Sequence, residues 1–483
     1  MKSLLLVLIV ACMLFFSIPV SATTSSTGYK LTMLQSGVHS WAATLEPDIQ
    51  AALQGLKLSD INSWQNIKIG NVTYTIDNFV LNTLTLGPFS TSTRKTDQDF
   101  EFNLHDAHGV ATFNWHYKDV KFPYTSDSGH GTAQVKDCTV LVHIGVERTD
   151  AGTPHGVVTD CLVNINSMDV TLDGGKYSWL YQALIDACKD TVIRHVQDDL
   201  VKAANVQIQR VVNSRLAKWD PFFEIDSVAY FDEILDHETS GAYFGDNYMT
   251  FRMNGLTSPS KKPLPLAAPE MPDIVNNKAL QLMFTNEAFQ TWLNTHRSGH
   301  VFTQTISQTN VDPKLLMFLK ADTYKGLVPW FDEAHSGKVF SVNLTVVNSI
   351  VTKVMPAAVS VETTVIVSII VDETTPVTLS IDLTLAMYPG VTTGTQALTP
   401  SFKYYKDVVT DVKSEGPIET DHLVGPLKIL YSKGVVPWLE RWAAASAMPL
   451  PPVDGLQYSN ATVTYNEAFA FVAIGCDFCN VIP

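Results

Sequence analysis

The stretch Ser258 to Pro272, SPSKKPLPLAAPEMP, places prolines at positions 259, 263, 265, 269 and 272. Proline fixes φ and supplies no backbone donor, so this run can neither sit in a central strand nor continue a helix. It reads as an extended, semi-rigid connector. Residues 23–257 precede it and 273–483 follow it, each near the upper end of ordinary domain size. Both sides use the same parts: a helix, a run of alternating strands, and a second helix. The implied organisation is two similar halves about a proline connector at 258–272.

Residues 1–22 have the form of a secretory signal. Lys2 gives a basic start, Leu4 to Phe16 is almost wholly apolar, and Val20-Ser21-Ala22 offers small residues before a cut. The expectation is a secreted or luminal protein. Asn71-Val-Thr73, Asn343-Leu-Thr345 and Asn460-Ala-Thr462 are glycosylation sequons that fit that compartment. The net charge of −15 argues against non-specific binding to nucleic acid or anionic membranes. Charged residues make up 17% against about 25% in an average soluble domain. With 46% apolar residues, that balance fits large sheets with apolar faces.

In the first half, Leu34, Val38, Trp41, Leu45, Ile49, Leu53 and Leu56 recur at helical steps, which predicts a helix over Leu31–Leu56 with a bend at Pro47. Alternation then predicts strands through Val72-Tyr74-Ile76, Phe100-Phe102-Leu104, Ala111-Phe113-Trp115 and Val140 to Val146, returning by way of Cys161 to Leu172. A stripe from Leu180 to Arg215 predicts a helix over Tyr177–Leu216, about 60 Å long at 1.5 Å per residue. In the second half, Ala279 to Trp292 reads as one amphipathic helix. Phe340 to Val346 and Leu379 to Leu385 alternate as strands, and Val424–Ala445 reads as a helix broken around Pro437. A final strand passes through Phe469, Phe471 and Ala473.

Six cysteines are present, one of them (Cys12) in the signal. Cys138 and Cys161 flank a predicted hairpin whose midpoint falls between Thr149 and Asp150, so symmetric register sets them opposite each other and favours a Cys138–Cys161 disulfide. Cys188 then reads as a buried thiol on the helix stripe. Cys476 and Cys479 form a lone CxxC, weak grounds for zinc, so no metal and no cofactor are expected. A nucleophile elbow, a zinc-protease helix, a P-loop and a dinucleotide fingerprint are all absent. His105-Asp106-x-His108 reads as a solvated strand end, and Asp198-Asp199 as part of a solvated helix face. No residue makes a positive case for an enzyme.

Several stretches, in order, resemble the lipopolysaccharide-binding protein and bactericidal/permeability-increasing protein family, relatives of cholesteryl ester and phospholipid transfer proteins. They are VTYTIDNFVLNTLTLGPF (Val72 to Phe89), FEFNLHDAHGVATFNWHYK (Phe100 to Lys118), GGKYSWLYQALIDA (Gly174 to Ala187), GLVPWF (Gly326 to Phe331), MPLPP (Met448 to Pro452) and AFAFVAIGCDF (Ala468 to Phe478). The resemblance implies an α+β boomerang of two tubular domains, each a twisted antiparallel sheet wrapped by a long helix, joined by a central sheet. It also implies an apolar groove in each tube that holds a phospholipid, with transient membrane contact. Groove candidates are Leu34, Val38, Leu184, Val192 and Val196 in the first tube, and Leu280, Phe284 and Phe289 in the second.

Two departures from the family pattern stand out. The family's helix cysteine falls at about Leu200 or Val201 here, so its strand-to-helix disulfide does not carry over. Members that bind lipopolysaccharide carry a lysine-rich tip. The matching loops here hold Lys57 and Lys68 in one, and Lys118 and Lys121 in the other, with Asp60 and Asp119 among them. The leading expectation is a non-enzymatic lipid carrier or transfer protein. The alternatives are a host-defence protein that binds bacterial lipopolysaccharide and perturbs membranes, and a secreted hydrolase for which no nucleophile is apparent.

Overall fold

A computed structural model describes residues 28–67, 70–120, 125–174, 178–219, 222–225, 233–236, 239–258, 270–298, 302–311, 313–392, 397–445, 447–450, 456–468 and 470–480. The expected signal (1–22), most of the proline connector, Lys68 and Lys121 lie outside these residues.

The chain opens with strand β1 (Tyr29–Leu34) running directly into helix α1 (Gln35–Leu53). The predicted single helix from Leu31 is therefore corrected: its first part is a strand. All of β1 except Leu34 is buried, including Lys30 and Thr32. A strand covered on both faces shows no alternation, so its apolar residues merge with the helical stripe that follows.

Next come β2 (Ile61–Ile67), β3 (Gly70–Thr85), β4 (Phe89–Arg94), β5 (Asp99–Asp119), β6 (Ser126–Arg148) and β7 (Pro154–Asp173), then α2 (Ser178–Leu216). Strands β2-β3-β5-β6-β7 form one antiparallel sheet, with β4 paired to β5 beyond β3. Alternation holds as read: Val72, Tyr74 and Ile76, and Phe100, Phe102 and Leu104, turn one face inward. The sheet curls, and α2 lies along β7 as the closing wall of a tube. Close approach there depends on Gly156, where a Cβ would stand 2.5 Å from Val212 Cγ1. Asn213 of α2 clamps the same glycine, accepting from its N–H at 2.7 Å and donating to its carbonyl at 2.9 Å.

The predicted Cys138–Cys161 disulfide does not form. In the β6–β7 ladder Cys138 faces Ile165, and Cys161 faces Val142. The closing pair is Arg148 with Pro154, which centres the hairpin on Ala151, and a register shift at His143/Ile144 adds to the displacement. The offset of four residues separates the thiols by about 13 Å along the strands, well beyond bridging distance. Each is a buried free thiol. His105 to His108 is also not a strand end. It lies at a bulge in the middle of β5, with Asp106 at φ +53° and register shifts on both sides of Ala107. A bulge of this kind bends a long strand.

Short strands β8 (Phe222–Ile225) and β9 (Glu233–Asp236) follow, then β10 (Thr239–Gly245), β11 (Tyr248–Met253) and β12 (Thr257–Ser258). After the connector the opening repeats: strand β13 (Leu280–Thr285) runs straight into α3 (Asn286–Ser298). Here too the predicted single helix is corrected, for the same reason, since every residue of β13 is buried. The second curled sheet uses β14 (Thr303–Ile306), β15 (Ser341–Val346), β16 (Val351–Val354), β17 (Val359–Val371), β18 (Thr374–Tyr388) and, after the short β19 (Val391–Thr392) and β20 (Ala397–Leu398), β21 (Ser401–Ser414). Its order is β14-β15-β17-β18-β21, with β16 paired to β17. The first sheet has the same branching, β5 taking both β3 and β4.

Helix α4 (Pro329–His335) lies between β14 and β15 in sequence. Beyond β21, α5 (Val424–Leu430) passes through a π-turn (Tyr431–Val435) into α6 (Val436–Ala445). The break lies just before Pro437, whose ring and missing N–H disrupt the preceding turn. After the short β22 (Met448–Pro449), β23 (Leu456–Asn466) and β24 (Phe471–Asn480) end the chain.

A central sheet of order β10-β11-β1-β13-β24-β23 ties the halves together. Its middle pair is β1 with β13, the opening strands of the two halves, antiparallel with Tyr29 opposite Phe284 and Leu31 opposite Leu282. The fold is thus an α+β pair of tubes about a shared sheet.

Candidate functional site

Each tube is lined by the inward faces of its strands and by a helix laid over them, and this packing leaves clefts. In the second tube an outer cleft encloses about 900 Å³, open mouth included, between Val342, Val367, Leu379, Phe331, Leu427 and Leu430. An inner cleft of about 590 Å³ continues the same strip with Leu344, Val365, Leu383, Phe402, Tyr431 and Trp438. Two residues along a strand keep the same face, so Val342 and Leu344 belong to one wall. Val367 and Val365 belong to another. Gly434 lies in the π-turn opposite these walls. A Cβ there would stand 2.9 Å from Ile306 Cδ1, so the glycine keeps the outer cleft open.

The first tube carries a distal cleft of about 460 Å³ between Tyr74, Ile76, Trp115, Leu172, Leu184 and Val192. Nearer the central sheet a second one, about 580 Å³, is bounded by Leu53, Leu104, Val140, Val163, Leu200 and Ile208. The linings are almost wholly apolar. Thr75, His116 and Lys189 supply polar groups at the first tube's distal cleft, and Gln304 and Thr363 at the second tube's inner cleft.

Of the groove candidates read from sequence, Leu184 and Val192 line the distal cleft, and Val196 is buried one helical turn further on in the same core. Leu34 ends β1 half-buried, and Val38 is fully buried in α1. Leu280 and Phe284 are central-sheet residues. Phe289 packs its ring 5.8 Å from that of Phe284. These three build the junction between the tubes, and the second tube's clefts are walled by other residues. The signal for those walls was the alternation of Val342 with Leu344 and of Leu379 with Leu383.

Among the lysine candidates, Lys118 is exposed near the end of β5, opposite Thr73. Lys57 bridges to Val80. Thr73 and Val80 are seven residues apart on β3, so the two lysines are separated by about 23 Å along that strand. Lys57 and Lys118 do not form one patch. Beside Lys118, the side chain of Trp64 is 64% exposed, across β3 on β2.

One cluster has the residue types of a hydrolase. Ser59 Oγ lies 2.9 Å from His195 Nε2 and donates to Asp199 Oδ2 at 2.5 Å. In a catalytic relay the serine and the carboxylate use opposite imidazole nitrogens. Here both approach Nε2, with Asp199 at 3.6 Å, and Asp199 also accepts the Ser59 N–H at 2.7 Å. The arrangement tethers the loop after α1 to α2. Asp199 is 8% exposed, so the expectation of a solvated carboxylate is corrected. Burial pushes the Cys138, Cys161 and Cys188 thiols up to about 11 and Cys476 to about 12, which leaves them protonated and unreactive. No His/Cys/Asp/Glu group suited to a metal occurs among the described residues.

Two curled sheets, each closed by a helix over an apolar cleft and joined through one sheet, define a class of groove proteins. Residues 43–212 match the model of the LBP / BPI / CETP family, N-terminal domain. Over these residues the chain is similar to that family's N-terminal domain, in line with the resemblance drawn from its motifs. The crystal structure of lipopolysaccharide binding protein is similar with a TM-score of 0.63 at 14% identity, covering 95% of this chain and 100% of that one. At that identity the match speaks for the fold, which is the two-tube boomerang. The structure of Epiphyas postvittana Takeout 1 is similar over 38% of this chain and 94% of its own at 13% identity, but its TM-score of 0.28 is too low to bear on the fold. No curated protein matches the sequence.

Proposed function

We propose that this protein is a secreted, glycosylated, non-enzymatic lipid carrier that shelters phospholipid-like molecules in its grooves. The observation that carries this reading is the pair of apolar clefts running along each tube, where buried side chains line space that no protein group fills. Burying a methylene contributes about 0.8 kcal/mol, so two acyl chains supply ample gross stabilisation. A bilayer shelters those chains as well, so exchange between membrane and groove is close to balanced, as transfer requires. Secretion rests on residues 1–22, and glycosylation on Asn71, Asn343 and Asn460.

Lipopolysaccharide binding, the property in the name of the structurally similar protein, would draw on Lys57, Lys68, Lys118 and Lys121. The separation of Lys57 from Lys118 removes one member of that set. Organic extraction of the secreted protein, with mass spectrometry of the extract and native mass spectrometry of the intact chain, tests the carrier reading. One or two diacyl lipids per chain are expected. A folded protein that is empty and also refuses added phospholipid would sink it. Release of lipid A, with binding that falls steeply with salt, would favour lipopolysaccharide.

A further inference from the structure

Tyr431 stands where the outer and inner clefts of the second tube meet. Its ring lines the inner cleft, while its helical neighbours Leu430 and Gly434 line the outer one. The residue is 0% exposed, and its hydroxyl has no hydrogen-bond partner. Buried hydroxyls in folded proteins are almost always paired, because leaving water without a new partner is costly. The neighbours do not supply one. Tyr404 stacks on the Tyr431 ring at 5.8 Å and 10°, and its own hydroxyl donates to Asp407. Among the other residues lining the inner cleft, Leu344, Val365, Leu383, Leu385 and Phe402 are apolar, and the polar Gln304 and Thr363 make no hydrogen bond to Tyr431.

The backbone holds the tyrosine in this position. Tyr431 opens the π-turn between α5 and α6. Tyr431, Val435 and Trp438, spaced i, i+4 and i+7, share the helix face that lines the inner cleft. Single π-turns inside helices recur at functional sites.

We propose that the Tyr431 hydroxyl donates a hydrogen bond to an ester carbonyl of a lipid held in the second tube, so that this groove selects acyl esters over ether or hydrocarbon analogues. The inference rests on the carrier reading above and names the chemistry its ligand must bring. A ligand whose apolar body carries an acceptor oxygen at this depth satisfies a donor that no protein group reaches. A plain alkyl chain leaves it unpaired.

The test uses the full-length, delipidated protein with two probes: dioleoyl phosphatidylcholine and its dialkyl ether analogue, which lacks both carbonyls. Wild type should bind the ester roughly two- to tenfold more tightly, the span of one net hydrogen bond. Tyr431→Phe should lose that preference through weaker ester binding, with ether binding unchanged. Tyr404→Phe, whose hydroxyl already has Asp407, should keep the preference and serves as the control for folding. Equal ester and ether binding by wild type overturns the proposal, as does an undiminished preference in Tyr431→Phe; in either case the groove still binds lipid. An equal fall for both probes in Tyr431→Phe assigns the tyrosine to packing alone and also overturns it. Wild type that binds neither lipid refutes the carrier reading itself.

Discussion

Removing Asp273 should damage the central sheet far more than removing its partner Lys30. Lys30 lies in β1 with its side chain 3% exposed. Its ammonium donates to the Met271 carbonyl at 2.5 Å and to Asp273 Oδ1 at 3.0 Å. Asp273 also accepts from the Tyr248 hydroxyl at 2.9 Å, has Arg252 at 3.8 Å, and is 28% exposed. The carboxylate therefore keeps partners and water if Lys30 goes, while the ammonium keeps only a carbonyl if Asp273 goes. Breaking a buried pair from that side costs about 3–5 kcal/mol. Lys30→Met, which fills the site with an apolar chain, should cost below about 2 kcal/mol.

Hydrogen–deuterium exchange of peptides over Tyr29–Leu34 and Leu280–Thr285 reads this locally, since protection follows the free energy of opening. Asp273→Ala should deprotect both strands strongly, Lys30→Met only weakly, and the double variant should resemble Lys30→Met. Greater deprotection in Lys30→Met than in Asp273→Ala would refute the reasoning.

The same pair gives a pH dependence. Burial holds Lys30 below the usual lysine value of 10.5 despite the opposing pull of Asp273. Between that lowered value and 10.5 the unfolded chain binds the extra proton, so this residue's contribution to stability should rise with pH there. Burial would raise the Asp273 carboxyl, but bonds from Lys30 and Tyr248 outweigh it and hold it below 3.8. Its contribution should be present above 3.8 and be lost as pH falls through the lowered value, which an acid titration of Tm in wild type and Asp273→Asn would register. A thiol reagent should leave Cys138, Cys161, Cys188 and Cys476 unlabelled until the chain unfolds, and peptide mapping without reductant should find no Cys138–Cys161 bridge. Gly156→Ala forces α2 away from β7 and should cost about 1–3 kcal/mol as an overpacked contact, measured as a fall in urea midpoint. Asp199→Ala should loosen the loop at Ser59, at about 1–3 kcal/mol for the unpaired donors, seen as faster exchange over residues 54–60.

The strands and the long helix of the first tube were already legible in the residue order. Val72-Tyr74-Ile76 and Phe100-Phe102-Leu104 alternate because one face of each strand is buried and the other is wet, and a period of two survives in the residue order. The helix from Ser178 to Leu216 is one uninterrupted stripe for the same kind of reason. The paired halves and the family resemblance were also legible, since both depend on the order of such segments along the chain. Strands β1 and β13 emerge only in the folded molecule. Their burial on both faces erases alternation, and each flows without a turn into an amphipathic helix.

Register was also decided in three dimensions. A hairpin centred on Ala151 and one shift at His143 moved Cys138 and Cys161 four residues apart, and neither feature leaves a mark in cysteine spacing. The second tube's groove sets Tyr431 and Gly434, both in the π-turn, against strand residues such as Ile306, Val342, Val365 and Leu379 that are distant in sequence. Periodicity can say that Val342, Leu379 and Leu427 face inward. Whether inward means packed core or open cleft depends on how far apart the curled sheet and its helix come to rest, and the chain sets that distance only once both are folded.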